Sequence, residues 1–165
     1  MEDVKPSVDE LTATDLVMLI VSFMLCLAAA AAGSRFGPDE WYVGLNQPAL
    51  TPPNWIFAPV WTTLYGLMAV SAWLMWRELP KAGVKLALLL FLIQLALNAS
   101  WSWQFFGRHA IGAALITILT LVALVVVMMF MFSKHSRMAT SLLVPYLAWI
   151  SFASYLNFDF WRLNG

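Results

Sequence analysis

A chain of 165 residues, 62% hydrophobic and only 11% charged, with a mean hydropathy of +0.78, is too apolar for a soluble globular class. Its nine basic and nine acidic residues cancel and form no basic stripe, which removes the electrostatic footprint of a nucleic-acid binder. The single cysteine, Cys26, excludes an internal disulfide.

Five uncharged runs follow one another: Leu16–Ser34, Asn54–Trp76, Leu86–Gly107, Ala110–Ser133 and Met138–Phe158, of 19, 23, 22, 24 and 21 residues. A helix needs roughly 20 apolar residues to cross the hydrocarbon core. None of the runs alternates as a barrel strand must, and backbone polar groups in lipid have to be satisfied within the segment. The expected fold is an all-α integral membrane protein, a five-transmembrane-helix bundle in one domain, residues 1–165, with helices over about 14–34, 55–77, 84–107, 110–133 and 138–161.

The first span has a passable signal-like core, Leu16–Leu27, with small residues at 28–32, but its flank carries Glu2, Asp3, Asp9, Glu10 and Asp15 against Lys5 alone. That is the wrong sign for a secretion signal, so the span is expected to be permanent. Cys26 within it reads as a small apolar group. The N-terminal side and the second and fourth loops carry Lys5, Arg77, Lys81, Lys85, Lys134 and Arg137, against Arg35, Arg108 and Arg162 opposite, which favours a cytoplasmic N-terminus.

The connection over 37–53 is rich in proline yet carries Trp41, Tyr42 and Leu45. Asp39 can cap a short turn from Glu40 that puts Trp41 and Leu45 on one face. Two readings stand: an interfacial aromatic belt, or a lid over the bundle mouth.

In the second span Trp61, Tyr65 and Met68 share a face. In the third, Gln94, Asn98, Trp101 and Phe105 do so, and amides in a bilayer need partners, so this face points inward as helix glue or as part of a pocket. The fourth span is almost wholly aliphatic and reads as a lipid-facing wall. In the fifth, Tyr146, Trp149, Ala153, Asn157 and Phe160 recur at helical spacing, with a kink expected at Pro145. Counted from the long-loop side, Trp61, Trp101 and Asn98 lie near 10 Å deep at ~1.5 Å per residue, so three faces converge on a flat-walled apolar cavity beneath that loop.

His109 and His135 read as surface residues, no metal-ligand spacing occurs, and Asp159 with Arg162 reads as an interfacial ion pair. Small residues four apart at Ala28 and Ala32, Ala29 and Gly33, and Ala96 and Ser100 would permit close helix contact or dimerisation.

Trp41-Tyr42-x-x-Leu45-x-x-Pro48, Pro52-Pro53-x-Trp55-x-Phe57-x-Pro59-Val60-Trp61-Thr62-x-Leu64-Tyr65, Gln94-Leu95-x-Leu97-Asn98-x-x-Trp101-x-x-x-Phe105-Phe106-Gly107, Pro145-Tyr146-Leu147-x-Trp149 and Leu156-Asn157-x-x-x-Trp161-Arg162 occur in order. As a set they resemble the tryptophan-rich sensory and translocator protein family, TspO/MBR, from about residue 41 to 164. The resemblance implies a multi-pass protein, commonly a homodimer, that binds protoporphyrin IX or related haem-type tetrapyrroles and, in many members, sterols and benzodiazepine-site ligands, with no required cofactor and no metal. It implies ligand-lining roles for Tyr42, Pro52, Trp61, Tyr65, Asn98, Trp101, Trp149 and Ala153, while the short C-terminus and acidic 15-residue leader are unlike organellar members and favour a bacterial membrane. The family's sterol pattern wants a tyrosine before the last basic residue, and Leu156-Asn157-Phe158-Asp159-Phe160-Trp161-Arg162 lacks one.

Three function classes follow: a tetrapyrrole receptor or sensor, a transporter of porphyrin intermediates, and a light-dependent porphyrin-degrading enzyme using Trp61 and Trp149. The chain lacks the internal repeats and buried ionisable relay common in secondary transporters. A non-enzymatic receptor is the expectation.

Overall fold

The computed structural model describes residues 11–165, and every regular element among them is helical. Glu2, Asp3, Lys5, Asp9 and Glu10 lie outside the described residues. Thr12 starts α1 (Ala13–Gly33) with a reciprocal cap: its hydroxyl accepts from the Asp15 amide at 3.1 Å while its own amide donates to the Asp15 carboxylate at 3.0 Å. The Asp15 carboxylate also pairs with Arg77 at 3.3 Å, and the Asp15 carbonyl accepts from the Trp73 indole at 2.9 Å. The beginning of α1 is thereby tied to the far end of α3 (Phe57–Trp76), so the two run antiparallel.

Between them, Asp39 caps the one-turn helix α2 (Glu40–Val43) through the Tyr42 amide at 3.0 Å. Pro52 and Pro53 lead into a 3₁₀ turn over Asn54–Ile56, and Pro59 sits in the first turn of α3, where a missing N–H costs least. Gly83, at φ +86°, takes the left-handed position that opens α4 (Val84–Ser102).

The third span departs from the single helix expected over 84–107. Its last turn, Trp103–Gly107, widens into a π segment in which the Arg108 amide reaches back five residues to Trp103 at 2.9 Å and that of Ala110 six to Gln104 at 2.9 Å. A Cβ at Gly107 would meet the Phe36 ring at 2.7 Å, so glycine lets the loop after α1 close on this turn.

The expected aliphatic wall is two-faced. On α5 (Ile111–Ser133), Ile116, Leu119, Val126, Val127 and Phe130 are exposed, whereas Ile111, Ala114, Ile118, Leu121, Val125, Met128 and Phe132 form a buried stripe at helical spacing. The fifth span is divided where Pro145 removes a donor: α6 (Arg137–Leu142) ends, Leu143 is fully buried at the bend, and α7 (Val144–Asn164) continues. Its end runs past the expected 161, because the Asn164 side chain donates to Phe160 at 3.0 Å and to Asn46 of the long connection at 3.1 Å.

Contacts close the ring: α1 against α3 and α4, α4 against α5, α5 against α6 and α7, and α6 with α7 back against α3. Among the described residues, five segments are long and apolar enough to cross a membrane: Ala13–Gly33, Asn54–Trp76, Val84–Gly107, Ile111–Ser133 and Arg137–Asn164. The protein is an integral membrane protein.

Candidate ligand pocket

The floor of the pocket is a chain of hydrogen bonds linking three spans. Tyr65 on α3 donates to Oδ1 of Asn98 at 2.8 Å, and Asn98 Nδ2 donates to the Tyr146 phenol at 3.1 Å. Tyr146 donates to Oε1 of Gln94 at 2.7 Å, and Gln94 Nε2 reaches the sulfur of Met68 at 3.7 Å. The amides on α4 therefore do act as glue, as the cost of an unpaired amide in lipid requires. They also fix the height at which the pocket stops.

Above this floor lies a cavity of about 850 Å³. Trp61 and Tyr65 from α3, Asn98 and Trp101 from α4, Trp149 and Ala153 from α7, and Tyr42 from the long connection all line it. These are seven of the eight positions expected from sequence. The eighth, Pro52, is half-buried in the extended stretch before the 3₁₀ turn and is not on the lining; the turn brings Asn54 and Phe57 to the wall instead.

The indoles are held by their neighbours. The rings of Trp61 and Trp149 meet edge to face at 6.5 Å, Phe57 closes on Trp149 at 5.9 Å, and Trp61 lies 5.6 Å from Tyr65. Trp101 stacks on Phe105 at 5.3 Å, and its indole N–H donates to Oδ1 of Asn157 at 2.9 Å. Asn157 in turn donates to the Ile111 carbonyl at 3.0 Å, which carries the fixing of Trp101 on to α5. The indole N–H of Trp149 is different: it is buried and has no acceptor among the described residues. A buried donor left unpaired costs free energy that an acceptor on a ligand would recover.

The long connection packs on the end of the bundle that holds the pocket and gives Tyr42 to its lining, while Val43 and Leu50 stay exposed. Tyr42 is buried against Phe105, Phe106 and Phe160, with ring centroids 6.3, 5.4 and 5.5 Å away. Burial pushes its phenol above the ordinary tyrosine value. Trp41 stacks on His109 at 4.1 Å, and the His109 Nε2 lies 3.0 Å from the Asp39 carboxylate. The Tyr42 amide, and after it His109, hold the Asp39 carboxyl below the usual aspartate range. His109 is thus exposed, as expected, but it is a latch between the lid and the turn after the third span. Its φ of +54° is uncommon for a non-glycine residue.

Sequence reasoning missed the wall that α1 supplies, including Phe23, Cys26, Leu27 and Ala30. Cys26 is buried, the small apolar role expected of it. The Asp159–Arg162 pair forms at 3.1 Å beyond the pocket.

A model of the TspO/MBR family matches residues 20–162. "Tryptophan-rich protein TspO" of Chlorobaculum tepidum is 42% identical over 153 residues, covering 90% of this chain and 97% of that protein. "Protein CrtK" of Rhodobacter capsulatus is 35% identical over 154 residues, covering 90% and 94%. The human "Translocator protein" is 41% identical over 139 residues, covering 80% and 81%.

Proposed function

This chain belongs to the TspO/MBR family, with the membrane receptor or sensor role that its relatives support, and from that premise we propose that its ligand is a tetrapyrrole of the protoporphyrin IX type held beneath the lid. The observation that carries the reading is the convergence of Trp61, Trp101 and Trp149 on one cavity of about 850 Å³ above an amide floor. The volume falls in the upper part of the range for small-molecule sites, roughly 300–1,000 Å³. Flat indole walls favour a large planar ring by stacking, and the unpaired Trp149 N–H favours a ligand with an acceptor at its edge.

The long connection supports a receptor over a surface adsorbent, because Tyr42 lines this cavity and the latch at Asp39, Trp41 and His109 holds the same segment, so a ligand here touches an element that can respond to it. Binding and lid closure are then coupled, which is the physical requirement for a sensor: the ligand must interact differently with two states.

Titrating the purified, detergent-solubilised protein with protoporphyrin IX in the dark, by quenching of tryptophan fluorescence, tests this. Saturable quenching at one site per chain is expected. Linear, non-saturating quenching would leave the aromatics as packing and remove the proposal.

A further inference from the structure

A second cavity, of about 350 Å³, lies in the half of the bundle away from the lid, between α1, α3 and α4. Its walls include Leu25, Trp76, Leu79, Leu89 and Leu92, and Lys85 borders it. Leu89 and Leu92 are about half exposed on the outer face of α4, so the cleft opens toward the bilayer, apart from the larger pocket. Its one buried hydroxyl, Ser22, is already spent on the Met18 carbonyl at 2.8 Å. Water needs two to four polar partners to occupy a cavity, and these almost wholly apolar walls do not gather that many, so hydrocarbon is the natural filling.

The charge at the mouth selects which hydrocarbon. Arg77 is neutralised by Asp15 and Lys81 by Glu78, whereas Lys85 has no carboxylate partner among the described residues. It stands in the first turn of α4, which has no acidic residue and no side-chain cap, so the positive end of a 19-residue helix faces the same mouth. From Lys85 to Leu92 is roughly 10 Å along the helix, at ~1.5 Å per residue. A cation at the interface above an apolar cleft of that length matches an acyl chain below an anionic headgroup. We propose that this cleft is a binding site for one chain of an anionic phospholipid, with Lys85 holding the phosphate.

The test uses the full chain in phosphatidylcholine vesicles containing a minor fraction of bromine-labelled phosphatidylglycerol or bromine-labelled phosphatidylcholine. The Trp76 signal is isolated as the difference between wild type and Trp76→Phe. Half-maximal quenching is expected at about fivefold lower mole fraction of the anionic lipid, the effect of one interfacial cation. Lys85→Gln is expected to abolish that difference and Lys85→Arg to keep it. Equal quenching by both lipids in wild type overturns the proposal, as does an anionic preference that survives Lys85→Gln. Absence of any Trp76-dependent quenching also overturns it, since another molecule, such as a second copy of the chain, would then cover the cleft.

Discussion

Tyr146 donates its phenolic proton to Oε1 of Gln94 across 2.7 Å, joining the fifth span to the third where both side chains are fully buried. The Tyr146 hydroxyl oxygen also accepts from Asn98 Nδ2, so one hydroxyl satisfies two amides. Removing it with Tyr146→Phe strands an acceptor on Gln94 and a donor on Asn98 in a dry site. The expected cost is about 1–3 kcal/mol, read as a lowered thermal unfolding midpoint in detergent. Tyr65→Phe strands only Oδ1 of Asn98, beside the cavity, and is expected to cost less.

Ala153 faces the cavity as the smallest residue of its helical stripe. Ala153→Leu fills space that a planar ligand would take while adding apolar bulk to a helix that tolerates it. Porphyrin affinity is expected to fall by tenfold or more, at about 1.4 kcal/mol per tenfold, with the unfolding midpoint little changed. Equilibrium titration beside a melting curve separates the two effects.

The latch carries a pH dependence whose sign is fixed by Asp39. Its carboxyl is held below the ordinary value, so the stabilisation it gives the lid is complete above that value and is lost as pH falls through the lowered one. The protection factors of the amides of residues 39–47, with the intrinsic pH dependence of exchange divided out, are followed in His109→Gln so that the imidazole does not contribute; they are expected to stay constant from neutrality to about pH 4 and to fall below it. Asp39→Asn is expected to remove that acid response, and His109→Ala to raise the porphyrin off-rate at neutral pH.

Much of this was legible in the chain because lipid imposes severe rules. Five runs of about 20 uncharged residues leave few alternatives, and amides placed among them at Gln94 and Asn98 had to turn inward. Chain direction then put Trp61, Trp101 and Asn98 at similar depth under the same connection. Periodicity could not assign the share of α1 in the wall, because Phe23 and Leu27 are as apolar toward a ligand as toward lipid; only the placement of α1 between α3 and α4 decides it. The inner stripe of α5 was hidden for the same reason.

The widened turn at Trp103–Gly107 left no composition signal beyond its glycine, since π geometry arises from how the following loop is drawn back toward the lid. The His109 latch joins residues 70 apart in sequence, Asp39 and His109, and a lone histidine beside Arg108 offered no reason to pair them. Pro52 was carried to the ligand wall by resemblance alone. In the structure it is not on the cavity lining, which along this stretch begins at Asn54.

The most direct test of the central claim, a tetrapyrrole held between indole walls beneath the lid, is the dark dissociation constant for protoporphyrin IX in wild type, Trp149→Ala and Trp61→Ala. Each truncation removes a large stacking face and is expected to weaken binding by about 2 kcal/mol, roughly thirtyfold. Dissociation constants unchanged in both variants would contradict the account and move the site away from this cavity.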